Sequence, residues 1–486
     1  MRKWLPLVAI CLGAFILLVD VTIVNVALPS MASDLHASFT SLQWVMDMYA
    51  LALAALLLAA GSLADLFGHR KLYAIGLVVF AIASLGCALA PNAAVLITWR
   101  GVQGVGGAAM FATSAALVAA TYHGRDRGVA FGVWGAVNGA AAALGPVLGG
   151  LLTQGFSWQA IFLVNLPIAV VAIVLTLRVL PAGKRGTGRL DVPGAVLFTV
   201  AAAALTYALI RGGDHGWTDG LTLGAFALAV LAVVGFVVAE LATAHPMLDL
   251  SLLRRPTFSG LLGGAVLFQA GAFGGFVYIS LWLQNILGLS PIRGGLALMP
   301  LAVASFVVAA AAGKHTHRFS PALLVGGGLV LVGVGAGIMW QSVSAGSHAS
   351  SLYAGLAVMG VGVGLSTPVL VSTAVEAVPP NRAGMAGGAV NTFRQLGMSL
   401  GIALFGSIFT SRLRDVTRHG GSVRAGYASG LDRIFLASAL AALAGGVLVF
   451  LTVRHSRGDG TPQGAPAPEP RDLAVEGGLS PSSPRP

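Results

Sequence analysis

The sequence predicts an all-α polytopic membrane protein with fourteen transmembrane helices. Three observations support this fold class: 56% of the 486 residues are hydrophobic, only 9% are charged, and apolar stretches of membrane-spanning length recur along the chain. Soluble domains carry about a quarter charged residues, so this chain lacks the polar surface that such domains need. The composition therefore excludes a soluble enzyme, a secreted disulfide scaffold and a nucleic-acid-binding domain.

Each predicted helix is an apolar stretch long enough to cross a hydrocarbon layer about 30 Å thick. The stretches cover residues 5–29, 40–62, 72–90, 94–120, 128–152, 160–180, 191–211, 221–241, 258–284, 295–313, 321–341, 351–371, 386–409 and 431–453. The first stretch begins as a signal peptide would, but it continues past Asp20 and no small-residue cleavage site follows it. We therefore interpret it as a retained transmembrane helix.

The distribution of basic residues predicts that both termini are cytoplasmic. An even number of spans places the termini on one side, and 19 of the 28 Lys and Arg residues fall in the termini and loops of that side, against 7 in the opposite loops. The side richer in Lys and Arg is cytoplasmic under the positive-inside rule. Basic loops beside a membrane explain the formal net charge of +11, so we expect no nucleic-acid partner.

The loop after the second span carries a specific pattern of glycines and charges. Gly61, Asp65, Gly68, Arg70 and Lys71 follow the spacing G-x-x-x-D-x-x-G-x-[RK]-[RK]. The glycines permit a tight turn and close helix approach, and the cations hold the loop in the cytoplasm. An ordinary polar loop is the alternative interpretation. The spacing resembles the signature loop of the major facilitator superfamily, which implies a cytoplasmic gating loop.

Further segments resemble those of the drug:proton antiporters within that superfamily. They are Asp20–Pro29 in the first span, Arg100, Gln103, Gly104 and Gly106 in the fourth, Gly132, Gly145, Pro146, Gly149 and Gly150 in the fifth, Asp191–Gly194 at the start of the seventh, and Asn391, Arg394, Gln395 and Gly397 in the thirteenth. Fourteen spans narrow the resemblance to the 14-spanner branch of these antiporters, over about residues 10–453.

The resemblance implies two six-helix bundles with a pair of helices inserted between them. We expect an N-terminal bundle at 1–185, the inserted helices 7 and 8 with their connections at 186–250, a C-terminal bundle at 251–455, and a disordered cytoplasmic tail at 456–486. The tail contains seven prolines and too few apolar residues for a core. The second copy of the gating loop, at 313–318, has His317 in place of the acid and is degenerate.

Asp20 and Arg100 lie inside predicted spans, where a charge costs about 2.5–3.5 kcal/mol on insertion scales and therefore faces a cavity or a partner. A buried carboxylate can take up and release a proton, although a permanent tie to neighbouring helices is the alternative for Asp20. Arg100 either reaches the membrane surface or, as the resemblance implies, promotes proton release from a nearby carboxylate. We predict that Asp20 and Arg100 couple transport to protons.

Five other polar residues within the spans are candidate cavity residues: Asn25, Asp47, Gln103, Asn391 and Arg394. Asp47 stands near a predicted membrane face, where a solvated or capping role is an equal alternative. Arg394 is expected to face the cavity, where it either contacts the cargo or packs the central helices. Aromatic residues on these helices either line an apolar binding site or serve packing.

Small residues follow one face of the fifth span. Ala141, Gly145 and Gly149 stand at i, i+4 and i+8, a spacing that lets helix backbones approach closely in lipid, and Pro146 favours a kink. The resemblance implies that Gly132, Gly145, Pro146, Gly149 and Gly150 form the antiporter motif, a bending element that seals the cavity. Passive packing is the alternative interpretation.

The sequence as a whole predicts a secondary transporter that exports drugs, antibiotics or other small amphipathic compounds in exchange for protons. The alternatives are a dedicated exporter of one secreted metabolite, a proton-coupled nutrient importer and a membrane sensor without transport activity. We expect no enzyme activity, because no stretch outside the spans is long enough for a catalytic domain. Cys11 and Cys87 lie inside apolar runs, so no disulfide or metal site is expected. No nucleotide-binding G-x-x-x-x-G-K-[ST] sequence occurs, so we expect the proton gradient to supply the energy without ATP or a cofactor. The expected partners are the cargo, protons and the lipid bilayer, with a monomer acting in a bacterial plasma membrane.

Overall fold

The structure, a computed structural model, describes residues 2–181, 191–243, 246–312, 319–378 and 383–453. Those residues form helices and turns, and no strand occurs among them. The predicted tail at 456–486 and the second loop copy at 313–318 lie outside the described residues.

The helices of the first half of the chain are α1 to α9. Their bounds are α1 (Leu5–Asp34), α2 (Phe39–Phe67), α3 (His69–Ala88), α4 (Ala93–Thr121), α5 (Gly124–Gly155), α6 (Ala160–Leu163), α7 (Asn165–Val179), α8 (Val192–His215) and α9 (Gly220–Ala242). Side-chain caps begin several of them, such as Ser38 before α2 and Asn92 before α4, each accepting a hydrogen bond from a first-turn N–H.

The helices of the second half are α10 to α17. Their bounds are α10 (Pro256–Phe273), α11 (Phe276–Leu281), α12 (Pro291–Ala297), α13 (Met299–Ala312), α14 (Pro321–Ser342), α15 (Tyr353–Glu376), α16 (Ala383–Arg418) and α17 (Val423–Thr452). A π-helical turn, Trp282–Ile286, continues α11, and a 3-10 turn, Leu250–Arg254, precedes α10.

Each of the fourteen predicted stretches is helical to within a few residues. Within the described part of the chain, twelve helices are long and apolar enough to cross a membrane, and the pair α12–α13, bent by 42°, raises that number to thirteen. The 32-residue α5 is not among them. The structure therefore confirms an all-α multi-pass protein, whereas the number fourteen stays a prediction.

The helices pack as two groups joined by an inserted hairpin. The first bundle is α1–α7, the second bundle is α10–α17, and the hairpin is α8–α9. The bundles meet along α2 and α16, along α5 with α12 and α13, and along α1 with α11; α8 lies against both α2 and α16. Large apolar side chains of α9 are exposed, as expected of a lipid-facing helix. The predicted domain boundaries stay predictions.

Candidate functional site

Asp20 lies fully buried in the middle of α1, and hydrogen bonds reach both of its carboxylate oxygens. Arg100 Nη1 in α4 donates to Asp20 Oδ2 at 2.5 Å. Asp20 Oδ1 accepts from Gln103 Nε2 at 2.9 Å and from Asn165 Nδ2 at 3.2 Å. The two predicted coupling residues therefore form an ion pair inside the first bundle, across α1, α4 and α7.

Arg100 is also 0% exposed, so the guanidinium is held by protein groups and not by the membrane surface. Its Nη1 donates to Gln103 Oε1 at 2.7 Å and its Nε to Val45 O at 3.1 Å. The Tyr49 ring lies 4.3 Å from the guanidinium carbon, within cation–π distance. This burial excludes the alternative that Arg100 reaches the membrane surface in the conformation described.

Ser84 and Asn165 complete the Asp20 cluster, and the sequence interpretation missed both. Ser84 Oγ accepts from Gln103 Nε2 at 2.9 Å and from Asn165 Nδ2 at 3.3 Å. Gln103, predicted as a cavity residue, lies inside this cluster. Asn165 could have been recognised from the sequence as an isolated amide within the apolar run of the sixth predicted span. A buried amide needs hydrogen-bond partners, so its position predicts polar neighbours.

This arrangement links a proton to helix positions. Neutralising Asp20 by protonation removes the charge that compensates Arg100, and an uncompensated buried charge is costly. Since both side chains are 0% exposed, neither can exchange a proton with water until the surrounding helices move. The pair can therefore act as a proton carrier whose loading favours a different helix arrangement.

Asp47 is fully buried in α2, at the meeting of α2, α8 and α16. Neither carboxylate oxygen has a hydrogen-bond partner among the described residues. The Ser399 hydroxyl of α16 faces it, and that hydroxyl lies 3.3 Å from Thr206 Oγ1 of α8. Burial excludes a solvated role in this conformation. A capping role is excluded because neither oxygen accepts an N–H hydrogen bond from the described residues.

The two bundles are hydrogen-bonded to each other at the end where α1 ends and α2 begins, which is the predicted extracellular end. The bonds in the described part of the chain run from Ser280 Oγ to Asn25 O (2.6 Å), from Gln284 Nε2 to Val26 O (2.8 Å) and from Gln43 Nε2 to Tyr278 Oη (3.0 Å). Asn25, predicted as a cavity residue, is therefore buried in this seam. Tyr49 and Tyr278 are both buried, so packing explains these aromatic rings.

Asp214, at the end of α8, joins both bundles at the same end. Thr40 Oγ1 of α2 donates to Asp214 Oδ2 at 2.5 Å, and Arg414 Nη2 of α16 donates to Asp214 Oδ1 at 3.1 Å. We call Thr40, Asp214 and Arg414 the clasp. The neighbouring pair Arg211–Asp219, 2.7 Å apart, stays within the hairpin, and its hydrogen bond holds the pKa of Asp219 below its ordinary value.

Two glycines of the antiporter motif hold α5 against α1, directly after Asp20. A methyl group added to Gly145 would overlap Thr22 Oγ1, and one added to Gly149 would lie 2.7 Å from Ile23 O. Thr22 and Ile23 follow Asp20 by two and three residues in the chain. The small-residue stripe therefore brings α5 into close contact with α1, the helix that carries Asp20.

The rest of the motif faces the second bundle. A methyl group on Gly150 would lie 2.6 Å from Ile292 Cα, and one on Gly295 of α12 would overlap Pro146 O. Pro146 lies inside α5. Gly132 also belongs to α5, but its surroundings lie outside the described residues. The motif thus contacts α1 on one side and α12 on the other.

Arg394 of α16 is half-buried, and its described partners are neutral. Its Nε donates to Gln269 Oε1 of α10 at 3.3 Å, its Nη1 lies 3.5 Å from Asn391 Oδ1, and the Phe268 ring is 6.0 Å away. No carboxylate of the described residues forms an ion pair with it. The structure brings Asn391 and Arg394 together in the second bundle, away from the Asp20 cluster.

The predicted gating loop is mostly helical: Gly61 and Asp65 lie within α2, and Arg70 and Lys71 lie within α3. Only Gly68 separates the two helices, with a φ of 89° that glycine adopts without strain. Arg70 Nη2 donates to Leu177 O of α7, and Lys71 Nζ lies 5.9 Å from the Phe67 ring centre. A methyl group added to Gly61 would meet no neighbour within 4 Å. Nothing is described of the Asp65 side chain. Arg70 therefore holds α3 to α7 inside the first bundle.

Comparisons with known proteins agree with this architecture. Residues 10–402 match the family model described as Major Facilitator Superfamily. A solved structure described as the crystal structure of peptide transporter POT in complex with sulfate superimposes with a TM-score of 0.67 at 16% identity, covering 92% of this chain and 94% of that one. At this identity the likeness concerns the fold alone.

Several curated proteins are similar over most of their length. The tetracenomycin C resistance and export protein of Streptomyces glaucescens is 36% identical over 425 residues, covering 85% of this chain and 77% of that protein. The methylenomycin A resistance protein of Streptomyces coelicolor is 34% identical, with 90% of each chain covered. The multidrug efflux pump LfrA of Mycolicibacterium smegmatis is 34% identical, covering 85% of this chain and 82% of that pump.

Proposed function

Because the chain belongs to the Major Facilitator Superfamily, we propose that it exports drugs, antibiotics or other small amphipathic compounds from the cytoplasm in exchange for protons. The observation that carries the proposal is the fully buried ion pair between Asp20 and Arg100, with its oxygen and nitrogen 2.5 Å apart. Relatives named for antibiotic resistance, export and multidrug efflux support the direction of transport and the class of cargo.

In this proposal the chain crosses a bacterial plasma membrane fourteen times, with both termini in the cytoplasm. The spans are the twelve long helices, the bent pair α12–α13 and the 32-residue α5. The excess of Lys and Arg on one side supports the orientation. The protein acts as a monomer, and the proton gradient drives it without a cofactor.

The proposed cycle alternates access to the space between the bundles. The conformation described is bonded at the predicted extracellular end and has Asp20 paired with Arg100, as expected of a deprotonated state that faces inward. Cargo binds from the cytoplasm in this state. After the bundles reorient, a proton from outside neutralises Asp20 and cargo leaves. During the return movement Asp20 releases its proton to the cytoplasmic side, and the resulting carboxylate forms the ion pair with Arg100 again.

The cargo site in this proposal involves the second bundle, where Arg394 has only neutral partners. Asn391 and Gln269 would orient a polar group of the cargo beside that guanidinium. Because relatives include both single-antibiotic resistance proteins and a multidrug pump, the breadth of the cargo range is a separate question. A susceptibility panel in an efflux-deficient host answers it: resistance to one compound indicates a dedicated exporter, and resistance to many indicates multidrug efflux.

Transport in inside-out membrane vesicles tests the proposal. With the vesicle lumen made acidic, we expect ethidium or an antibiotic from the panel to accumulate in the lumen, and a protonophore to abolish accumulation. Vesicles from cells without the protein are the control. Accumulation that is indifferent to the proton gradient would overturn proton coupling, and cargo movement only toward the cytoplasmic side would indicate an importer.

A further inference from the structure

Two buried carboxyl groups lie close together in the hairpin, apart from the Asp20 cluster. Asp191 caps the start of α8 and is 6% exposed, and Glu240 lies near the end of α9 and is 4% exposed. One oxygen of each has a backbone donor. Gly194 N donates to Asp191 Oδ1 at 2.9 Å, and Leu248 N donates to Glu240 Oε2 at 3.2 Å.

The remaining oxygens, Asp191 Oδ2 and Glu240 Oε1, are buried without a hydrogen-bond partner in the described part of the chain. They converge over the Cα of Gly194. A methyl group added there would overlap Asp191 Oδ2 and lie 2.9 Å from Glu240 Oε1. Two carboxyl oxygens without hydrogen-bond partners in the described part of the chain therefore face each other over Gly194, where only a residue without a side chain leaves room for them.

No described cation pairs with either carboxyl group. On α8, Arg211 is bound to Asp219 and Asp214 to Arg414, both at the far end of the helix. The other charged or titratable side chains on the elements packed against α9 are Tyr207 and His215 of α8, and Asp249, Arg254 and Arg255 in the segment after α9. Arg255 donates to Ala377 O. Arg189 and His245, close in sequence, lie outside the described residues.

One proton would satisfy both unpartnered oxygens. Two carboxylates that face each other in apolar surroundings repel and lose hydration, so ionising both is unfavourable. A carboxylic acid that donates to a carboxylate removes one charge and pairs both oxygens. A metal ion fits less well, because the other two oxygens already accept N–H groups and no cluster of three His, Cys, Asp or Glu side chains occurs among the described residues.

We propose that Asp191 and Glu240 bind one proton between them, and that the protonated pair fastens the start of α8 to the segment after α9. That segment leads into the second bundle, and its Leu248 N–H is held by Glu240. Loss of the proton places two negative charges together and releases the segment. Since both residues lie at the predicted cytoplasmic end, the site responds to cytoplasmic pH, whether or not transport is proton-coupled.

Infrared difference spectra of the purified protein test proton sharing directly. Comparing wild type with Glu240→Gln and with Asp191→Asn at neutral pH should show loss of a protonated carboxylic C=O band. Both variants are isosteric, so either one suffices if the other fails to fold. Glu376→Gln, which replaces an exposed glutamate at the end of α15, is the control and should remove only carboxylate bands. If Glu240→Gln and Asp191→Asn also remove only carboxylate bands, both groups are ionised and the proposal is wrong.

The pH dependence of thermal unfolding tests the fastening role. A protonated pair stabilises the fold at low pH, and the stabilisation is lost as the pH rises and the proton leaves. Glu240→Gln keeps a neutral donor toward Asp191, so its unfolding temperature should lack this alkaline loss, whereas Glu376→Gln should retain it. An alkaline loss of equal size in wild type and Glu240→Gln would contradict the role. Neither measurement involves transport, so failure here leaves the proposed function standing.

Discussion

Each bundle has an arginine among its helices, Arg100 in the first and Arg394 in the second, and the two charges are compensated differently. In the first bundle Arg100 is fully buried and pairs with Asp20 at 2.5 Å. In the second bundle Arg394 is half-buried and contacts the amide oxygens of Gln269 and Asn391. A carboxylate loses its charge when it binds a proton, whereas an amide is uncharged and binds no proton at physiological pH.

The difference divides the work of transport between the bundles. Of these two arginines, only the first belongs, among the described residues, to an ion pair whose net charge changes with a proton, so we propose that the first bundle holds the chemistry of proton coupling. The second arginine has no carboxylate partner in the described part of the chain, and we propose that its charge contacts a polar group of the cargo. The predictions below compare matched changes in the two bundles and at the contact that joins them.

The largest expected effect is loss of the Arg100 side chain. Arg100→Ala leaves Asp20 buried without a counter-charge, which destabilises by about 3–5 kcal/mol. Arg394→Ala leaves only neutral amides, so we expect about 1–3 kcal/mol. Thermal unfolding of both variants in the same detergent measures the difference. Equal losses would mean that the arginines are held in equivalent ways, and the contrast between the bundles would fail.

A smaller effect is expected from glycines that bring helices together in each bundle. Gly145→Ala pushes α5 away from α1 beside Asp20, and Gly397→Ala pushes α16 away from Val266 of α10. Both should lower the unfolding temperature, because the methyl group added at Gly145 overlaps the Thr22 side chain and the one added at Gly397 overlaps Val266 O. Only Gly145→Ala should reduce the proton gradient's stimulation of transport, measured as the ratio of rates with and without the gradient.

Gly155→Ala is the matched control for these glycines, because a methyl group there meets nothing within 4 Å. It should not lower the unfolding temperature, because alanine favours a helix more than glycine does, and it should leave the stimulation ratio unchanged. If Gly397→Ala lowers the ratio as much as Gly145→Ala, proton coupling is not confined to the first bundle.

The smallest expected effect concerns the clasp that joins the bundles. Asp214→Asn removes the ion pair with Arg414. The Asp214 side chain is 19% exposed and the Arg414 side chain 43% exposed, so we expect the free energy of opening at this end to change by about 1 kcal/mol or less. That corresponds to at most about a fivefold shift toward the form open at this end. A cysteine introduced by Ser399→Cys should react correspondingly faster with an impermeant maleimide, once the two native cysteines, Cys11 and Cys87, have been replaced.

Asp219→Asn is the control for the clasp. Arg211 holds the pKa of Asp219 below its ordinary value, so this variant removes the same charge from the same region without touching either bundle. The maleimide rate should stay at the wild-type value. An equal acceleration by Asp214→Asn and Asp219→Asn would assign the effect to surface charge instead of the clasp.

The sequence singles out Asp20 and Arg100, because charges within apolar spans have few ways to be accommodated. It does not predict that the two form an ion pair, which depends on how α1 packs against α4. It does not predict Asn165 and Ser84, since uncharged polar residues in a span carry no comparable penalty and no fixed spacing. Asp47 was placed near a membrane face from its position in the second span. The structure buries it where α2 packs against α8 and α16. That packing joins helices that are far apart in the chain, so the position of Asp47 within its own span does not reveal it.

The fifth span shows the same limit in a different form. The spacing of Ala141, Gly145 and Gly149 predicts one small-residue face, and the structure places that face on α1. Gly150 contacts α12, and Gly295 contacts α5. These contacts depend on how the two bundles meet, which cannot be predicted from the periodicity within one helix. Glu240 was a missed signal: a glutamate inside the eighth predicted span is costly unless it has a partner.

The central claim is that Asp20 carries the coupled proton, and Asp20→Asn in proteoliposomes tests it most directly. Asn keeps the size of the side chain and hydrogen bonding to Arg100 but cannot gain or lose a proton. We predict that cargo exchange without a pH gradient continues, while accumulation against a concentration gradient driven by protons is abolished. Proton-driven accumulation at the wild-type level in this variant would contradict the claim.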